Sequence, residues 1–478
     1  MPHALAQVSL DDKYTQSGGR VLLSGNQALV RLLLMQREID AASGLNTAGF
    51  VSGYRGSPLG GFDMELWANM ARLKDAHVVF QPGVNEDLAA TAVWGTQQAV
   101  LLPGAKYDGV YSIWYGKGPG VDRSGDALKH GNRQGAAPHG GVLVAMGDDH
   151  PGKSSTVSHQ SEQALAAHHI PVLFPSSVQE LLEYGLAGWA LSRFSGLWVG
   201  LKCVNETVEG TATVDVDPQR FRFVRPDIAL PPGGLNVNPR PMVVREADEM
   251  LVVRHRIPAA QAWARANSID RVVVDGERRQ LGIVTSGKAY VDVRQALAAL
   301  GIDADRARAL GVRVYKVGMI WPLEPTGLRE FARGHQELLF VEEKAAFVED
   351  QAAKILYHLG PNERPQLTGK HDDRGEATTA LPAGPGPTRI PQLTALPVAA
   401  TATPPGLYSL QERMGVGSGS RRVTAELAGL LGFGSRETPI YFADRRWGQS
   451  KMSFRIQVEA AFRTWKLLSM YRHLKPLV

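Results

Sequence analysis

Between Val21 and Cys203, short apolar runs alternate with segments of helical periodicity, and this alternation constrains the fold more than any other feature. The runs are TAGFVSG, HVVF, GVYSIWYG, GVLVAMG, IPVLF and LWVGLKCV. They are too continuously apolar for strands with one solvated face, so helices must cover both faces of their sheet. Strands that alternate with helices in this way form parallel sheets.

Three further strand–helix units follow, in GIVTSGKAYVDVRQALAALGI, VRVYKVGMIWPLEPTGLREFA and LLFVEEKAAFVEDQAAKIL. The sequence therefore predicts an α/β protein with two doubly wound parallel-sheet domains. In the segment between them, VEGTATVDVDPQRFRFVRPD has the pattern of a strand pair, and a helix is expected to be interrupted near Pro258. The predicted organisation is an N-terminal arm (1–19), a first domain (20–205), a connecting segment (206–275), a second domain (276–360), a Pro/Gly/Ala-rich linker and tail (361–442) and a basic tail (443–478).

Composition excludes several classes of protein. No apolar run approaches the roughly 20 residues of a membrane-spanning helix, and no basic start followed by an apolar block marks a secretory signal. We therefore expect a cytoplasmic protein. The one cysteine, Cys203, excludes intrachain disulfides. It also excludes a cysteine-ligated iron–sulfur cluster within the chain, because such a cluster needs about four thiolates.

The formal net charge of +5 resides in the last 36 residues. Residues 443–478 contain eight Lys or Arg against two acids, which leaves a net charge of −1 on residues 1–442. The body of the chain thus carries no signature of a nucleic-acid partner. The basic tail also has apolar residues at helical spacing, namely Val458, Phe462, Trp465, Leu468 and Tyr471.

Glu86 is the leading candidate for a catalytic residue. It follows the strand-like run His77 to Phe80 and a Pro-Gly turn, and Asn85 before it is a candidate N-cap. Glu86 is thereby placed in the first turn of a helix at the mouth of a strand–turn–helix unit, where open α/β sheets bind ligands. The alternative is that Glu86 and Asp87 only complement the helix dipole.

Turns rich in Gly and Pro follow several strands of the first domain. Gly53 and Gly56 lie in the first of them, and glycine allows close approach of the backbone to a ligand. A separate possibility is a phosphate loop, because residues 147–154 fit GxxxxGK[ST] and RVVVD at 271–275 resembles an acid-bearing strand. Asp148 and Asp149 oppose that interpretation, since carboxylates would occupy positions where backbone amides should surround phosphate.

Five motifs resemble the indolepyruvate ferredoxin oxidoreductases, in the branch that is fused into one very long polypeptide. They occur in the order of that family, over about residues 10–442: GYRGSPLGGFDMEL, GVNEDLAATAVWGTQQA, GKGPGVDRSGDALKHGN, DDHPGKSSTVSHQSEQAL and KVGMIWPLEP. The resemblance implies a thiamine diphosphate-dependent 2-oxoacid:ferredoxin oxidoreductase. Residues 20–205 would then be the domain on the pyrimidine side of the cofactor, and residues 276–360 a transketolase C-terminal-like domain.

The resemblance also implies roles for individual residues. Glu86 matches the glutamate that hydrogen-bonds N1′ of the aminopyrimidine, with Asn85, Gly53 and Gly56 beside the cofactor. Ser57 matches a hydroxyl that contacts the substrate, and the alternative is a turn hydroxyl bonded to its own backbone. Two arginines, Arg55 and Arg123, are candidates to bind the substrate carboxylate, and the alternative is that they are solvated loop residues. Four further residues are assigned only to lining the site: Asp149, Ser154, Ser155 and Glu162.

The family pattern stops at Tyr441–Phe442, where the cysteine-rich segment and the diphosphate domain should begin. We therefore expect the Mg²⁺–diphosphate site to be supplied by another domain or chain, with no metal ligands from this one. Iron–sulfur clusters would lie on a partner. The implied partners are ferredoxin, a 2-oxo acid and coenzyme A, in a homo- or hetero-oligomer.

Two alternatives remain open at this point. The chain could be a non-catalytic subunit or a truncated remnant that keeps the fold for assembly or ligand binding. The tail after Phe442 could be an amphipathic helix that docks on a partner or a membrane surface, or it could result from truncation or a changed reading frame.

Overall fold

The structure is a computed structural model that describes residues 9–150, 158–238 and 245–371. All of these residues lie in one compact unit. The predicted linker beyond His371, the basic tail, Ser154 and Ser155 lie outside the described residues. Within the described residues, no helix is long and apolar enough to cross a lipid bilayer.

The described residues form fourteen strands in three sheets. The strands are β1 (Arg20–Ser24), β2 (Thr47–Gly53), β3 (Val78–Phe80), β4 (Gly109–Lys117), β5 (Val142–Asp148), β6 (Val172–Leu173), β7 (Val199–Val204), β8 (Thr211–Asp215), β9 (Arg271–Val274), β10 (Leu281–Ser286), β11 (Val312–Val317), β12 (Met319–Trp321), β13 (Glu337–Val341) and β14 (Gln366–Thr368).

Sixteen α-helices connect and cover these strands in the described part of the chain. They are α1 (Asp12–Thr15), α2 (Gly25–Ala42), α3 (Gly60–Ala68), α4 (Met70–Asp75), α5 (Glu86–Gln98), α6 (Gly118–Arg123), α7 (Gly125–Gln134), α8 (Glu162–Ala167), α9 (Val178–Ser195), α10 (Asn205–Val208), α11 (Arg245–Leu251), α12 (Ile257–Ala266), α13 (Gly287–Ala299), α14 (Ala304–Leu310), α15 (Pro325–Ala332) and α16 (Val348–Leu356).

The first large sheet has seven strands in the order β12-β6-β7-β5-β4-β2-β3, and all neighbours are parallel except β12 and β6. Apolar side chains of α2 and α9 pack on one face, and those of α5, α7 and α8 pack on the other. This arrangement confirms the predicted doubly wound parallel sheet. It also explains the continuous apolar runs, because β5 and β7 are buried along their whole length.

The second large sheet has five strands in the order β14-β13-β10-β11-β9, with β9 antiparallel to β11 at one edge. Helices α13 and α14 cover one face, and α15 and α16 cover the other. The cluster that contains α15 and α16 continues onto the α5 face of the first sheet. One hydrophobic core is therefore shared by the two sheets.

Several details differ from the sequence-based expectations. The run VRVYKVGMIW, expected as a single strand, divides at Gly318, so that β11 joins the second sheet and β12 joins the first. The expected strand pair at 208–227 is a single strand, β8, which pairs with β1 in a small separate sheet. The helix expected to be interrupted near Pro258 has a π-helical turn at Val252–Arg256 between α11 and α12, just before the proline.

A buried ion pair links the two large sheets. Lys316 on β11 contacts the carboxylate of Glu180 on α9, and its Nζ also lies 2.8 Å from Ser176 Oγ. Arg271 Nη2 lies 3.1 Å from the same carboxylate. Burial alone would raise the pKa of Glu180, but Lys316 and the Ser176 hydrogen bonds outweigh it and lower that pKa. Burial lowers the pKa of Lys316, and the Glu180 carboxylate opposes that shift.

We predict that Lys316→Met destabilises the protein by about 3 kcal/mol, because it leaves the buried Glu180 carboxylate with less compensating charge. Lys354→Met is the control, since Lys354 is exposed on α16. Chemical denaturation of both variants measures the change in the free energy of unfolding. An equal change in the two variants would show that the buried pair does not stabilise the junction of the sheets.

Candidate active site

The winding of the first sheet reverses beside β2. Strand β3 pairs with one side of β2, and β4 pairs with the other side. The carboxyl ends of β2, β3, β4 and β5 therefore lie at the same edge of the sheet, as the Gly- and Pro-rich turns predicted. In open α/β sheets the crevice at such a reversal is the usual place for a ligand.

Glu86 lies at this reversal, as the first residue of α5. The Asn85 side chain accepts a hydrogen bond from Leu88 N at 2.8 Å, which confirms Asn85 as the N-cap. Trp114 Nε1 on β4 donates to the Glu86 carbonyl oxygen at 2.9 Å and fixes the start of α5 to the sheet. The Glu86 residue is only 7 % exposed. No described residue donates a hydrogen bond or forms an ion pair with its carboxylate.

One glycine, Gly120, lies against the Glu86 side chain, and Gly83 lies in the turn before it. A Cβ on Gly120, in α6, would lie 2.7 Å from Glu86 Cγ and 2.9 Å from Oε1. In the turn before Glu86, a Cβ on Gly83 would lie 2.6 Å from the Asn85 carbonyl oxygen and 2.7 Å from the Ala89 methyl group. The backbone of α6 therefore approaches the Glu86 carboxylate closely. A side chain at Gly120 would take the space that the carboxylate occupies.

The two glycines expected beside a cofactor have different surroundings. A Cβ on Gly53 would lie 2.1 Å from the Tyr115 carbonyl oxygen, so strand packing alone requires glycine there. Gly53 O also accepts a hydrogen bond from Gly83 N at 2.8 Å. A Cβ on Gly56 would meet only the Lys117 side chain, at 3.0 Å or more. A cofactor contact for either residue stays a prediction.

Ser57 and Asp149 come together from the ends of β2 and β5. Ser57 Oγ lies 3.5 Å from Asp149 Oδ2, which is long for a hydrogen bond. Asn205 Nδ2 donates to Asp149 Oδ1 at 3.1 Å, and Asp149 is 2 % exposed. The structure thus places a hydroxyl beside a buried, oriented carboxylate at the strand ends.

Glu162 belongs to a buried charge network behind the strand ends. Lys202 Nζ lies 2.6 Å from Glu162 Oε2 and 3.5 Å from Asp148 Oδ2. Ser161 donates to Asp148 from its backbone N at 2.9 Å and from Oγ at 2.5 Å. Burial alone would raise the pKa of Asp148, but Lys202 and Ser161 outweigh it and lower that pKa. This network holds α8 against β5 and β7.

Two residues of this region escaped the sequence analysis. Lys202 lies inside the apolar run LWVGLKCV, and a lysine in a buried strand was the signal that could have identified it. His159 Nε2 lies 3.0 Å from Asp122 Oδ2, and His159 Nδ1 lies 3.3 Å from Ser161 Oγ. Its ring occupies the space that a Cβ on Gly118 would need, at 2.1 Å. Helix α6 is therefore enclosed between His159 and Glu86.

The predicted arginine clamps are exposed. Arg55 lies in the turn after β2, and Arg123 is the last residue of α6. Each follows a strand whose carboxyl end lies at the same edge of the sheet as the start of α5, and their binding role stays a prediction.

The two sequence segments offered for a phosphate-loop site, residues 147–154 and 271–275, belong to different sheets where the structure describes them. Gly147 and Asp148 end β5 in the first sheet, whereas the strand offered as the acid-bearing partner is β9, at the edge of the second sheet. Asp275 after β9 pairs with Arg313 instead, at 2.6 Å. Among the described residues, no group of three or more His, Cys, Asp or Glu side chains is arranged to hold a metal ion.

Comparison with known proteins agrees with the family that the motifs predict. Residues 270–396 match the family described as the indolepyruvate ferredoxin oxidoreductase middle domain. The indolepyruvate oxidoreductase subunit IorA of Pyrococcus abyssi is 27% identical over 355 residues, which are 73% of this chain and 49% of that subunit. IorA of Methanothermobacter marburgensis is 26% identical over 349 residues, 72% of this chain and 50% of that subunit. The chain thus spans about half the length of these relatives.

The fold has a counterpart among solved structures. A 2-oxoglutarate:ferredoxin oxidoreductase from Magnetococcus marinus, solved with 2-oxoglutarate, coenzyme A and succinyl-CoA, superposes with a TM-score of 0.53 at 16% identity. The match covers 73% of this chain and 62% of that one. Similarity in sequence and in fold therefore agree, and the chain is a homologue of the IorA subunits of indolepyruvate oxidoreductases over about 72% of its length.

Proposed function

We propose that this chain is the pyrimidine-side portion of a thiamine diphosphate-dependent indolepyruvate:ferredoxin oxidoreductase. The observation that carries the proposal is Glu86, a buried carboxylate at a helix start with no partner among the described residues. A heterocyclic nitrogen that shares a proton with this carboxylate would supply such a partner. The similarity to one half of the IorA relatives supports the same assignment.

The residues around Glu86 fit an aminopyrimidine. Gly120 carries no side chain that would displace the carboxylate, and the Trp114 hydrogen bond fixes the backbone that carries it. Glu86 would hold a proton between its carboxylate and N1′ of the pyrimidine, which is general acid–base work on a buried group. When bound, thiamine diphosphate supplies the nucleophilic carbon for decarboxylation of a 2-oxo acid to an acyl group, which coenzyme A accepts.

The 2-oxo acid would contact residues after β2 and α6. Ser57, which lies beside Asp149, would contact the substrate carboxylate or carbonyl oxygen through its hydroxyl group. Arg55 and Arg123 would bind the carboxylate, since a guanidinium can donate two parallel hydrogen bonds to it. An aromatic 2-oxo acid as the substrate follows from the relatives' name.

The remaining parts of the reaction are assigned to other polypeptide. We propose that the Mg²⁺–diphosphate site comes from another domain or chain, in keeping with the half-length match to the relatives. Electrons would pass to iron–sulfur clusters on a partner and then to ferredoxin, because the chain has only one cysteine. That residue, Cys203, is buried in β7, and burial raises the pKa of its thiol.

Turnover separates this proposal from a non-catalytic role. The chain co-expressed with a diphosphate-side subunit should reduce methyl viologen in the presence of indolepyruvate and coenzyme A. Binding of thiamine diphosphate without reduction of the dye by indolepyruvate or 2-oxoglutarate would favour a subunit that only assembles or binds ligands.

For Glu86 we predict that Glu86→Gln abolishes deuterium exchange at C2 of bound thiamine diphosphate and leaves the melting temperature nearly unchanged. The amide cannot share a proton with N1′ as a carboxylate does. Asp87→Asn, in the same helical turn, is the matched control and should keep the exchange. If Glu86→Gln instead retains exchange and loses only stability, by up to about 1 kcal/mol, then Glu86 serves the helix dipole.

Gly120→Ala tests the space around the carboxylate. The new methyl group would displace the flexible Glu86 side chain, so we predict at least a tenfold loss of turnover with little loss of stability. Gly95→Ala is the control, because nothing lies within 4 Å of a Cβ there. Unchanged turnover in Gly120→Ala would mean that the position of the Glu86 carboxylate is not critical.

A further inference from the structure

Two contacts connect the segment after β5 in the first sheet to the segment after β13 in the second. His150 Nδ1 lies 2.8 Å from Glu343 Oε2. At that distance the imidazole and the carboxylate are close enough to form an ion pair when the ring is protonated. Gln160 and Ala345 bond in both directions, from Ala345 N to Gln160 Oε1 at 3.2 Å and from Gln160 Nε2 to Ala345 O at 3.4 Å.

The contacts from the second sheet come from a well-braced turn, residues 342–349. The Glu342 carboxylate accepts hydrogen bonds from three successive backbone N–H groups at the start of α16, at 2.8 to 3.0 Å: Phe347, Val348 and Glu349. Lys370 Nζ donates to the Glu342 carbonyl oxygen at 2.6 Å. The turn therefore presents Glu343 and Ala345 from a fixed backbone.

Several charged groups of both sheets face Glu343. Lys288 Nζ on α13 lies 3.7 Å from Glu343 Oε1 and 2.5 Å from Asp292. Burial alone would raise the pKa of Glu343, but His150, Lys288 and Lys202 outweigh it and lower that pKa. Glu343 is thus an anion held between a cation of its own domain and an imidazole of the other.

On the first sheet, these contacts lead directly to the strand-end site. His150 follows Asp149, the carboxylate beside Ser57. Gln160 Nε2 also donates to Glu162 Oε1 at 2.8 Å, and Glu162 pairs with Lys202. The turn 342–349 therefore contacts both ends of the β5–α8 connection, and each end is joined to a residue at the candidate site.

We infer that Glu343, on the second domain, is a positioning residue for Asp149 and Ser57 at the site on the first domain. The ion pair to His150 sets the backbone position of the residue next to Asp149, and Asp149 in turn orients the Ser57 hydroxyl. The effect of Glu343 on the positions of Asp149 and Ser57 does not depend on which ligand the site binds. Its consequence for a 2-oxo acid rests on the proposed function.

Hydrogen–deuterium exchange of the full chain tests the inference without any cofactor. Glu343→Gln should speed amide exchange at least fivefold in peptides that cover residues 54–62 and 145–150. Glu330→Gln, which removes an exposed ion pair of the same domain, should leave both peptides unchanged. A change confined to residues 340–350, or no change at all, would overturn the inference.

His150→Asn tests the pair from its other side and guards against a folding defect in one variant. If the ion pair carries the effect, the double variant should exchange no faster than either single variant. Additive effects would mean that the two residues act separately, which also overturns the inference.

A kinetic readout distinguishes this inference from the proposed function. In the assembled enzyme, Glu343→Gln should raise the KM for the 2-oxo acid about tenfold with a smaller change in kcat, because Ser57 contacts the substrate. Faster exchange without turnover by either protein would retain the positioning role and reject the proposed function. Turnover with an unchanged KM would retain the proposed function and reject the role of Glu343 in substrate binding.

Discussion

The structure depends on the parallel pairing of β2 between β3 and β4. This pairing reverses the winding of the sheet at one point and brings three successive connections to a single edge. It also forbids a side chain at Gly53, where a Cβ would collide with the Tyr115 carbonyl. Glu86 follows β3 and Gly120 follows β4, so the contact between them is a consequence of strand order.

Local sequence patterns predict the parts of the site that local structure determines. Asn85 and Glu86 could be placed because an N-cap and a first helical turn are set by neighbouring residues. The buried runs, with β5 and β7 as the clearest cases, could be assigned because continuous burial leaves an apolar pattern. The convergence of the turns followed from the parallel sheet, without knowledge of any distance.

The rest depends on tertiary contacts that no local pattern contains. Lys202 in an apolar strand is compatible with the fold only because Asp148 and Glu162 meet it from other elements. The division of VRVYKVGMIW at Gly318 is equally non-local: a Cβ there would lie 2.5 Å from both the Ile269 carbonyl and the Tyr184 hydroxyl. The contacts of the turn 342–349 with the first domain depend on how the two sheets pack, since residues 150 and 343 are remote in sequence.

The shared hydrophobic core packs the two domains against each other beside the edge where the strands of the first sheet end. Lys316 and Glu180 connect the sheets on one side, and Glu343 and His150 connect them next to the site. We propose that the two packed domains present Glu86 to the pyrimidine of thiamine diphosphate. A structure of the chain assembled with its diphosphate-side partner and the cofactor measures this directly, as the distance from the Glu86 carboxylate to N1′. We predict a hydrogen bond of about 2.6 to 3.0 Å, and a carboxylate that faces solvent or another protein group instead would contradict the account.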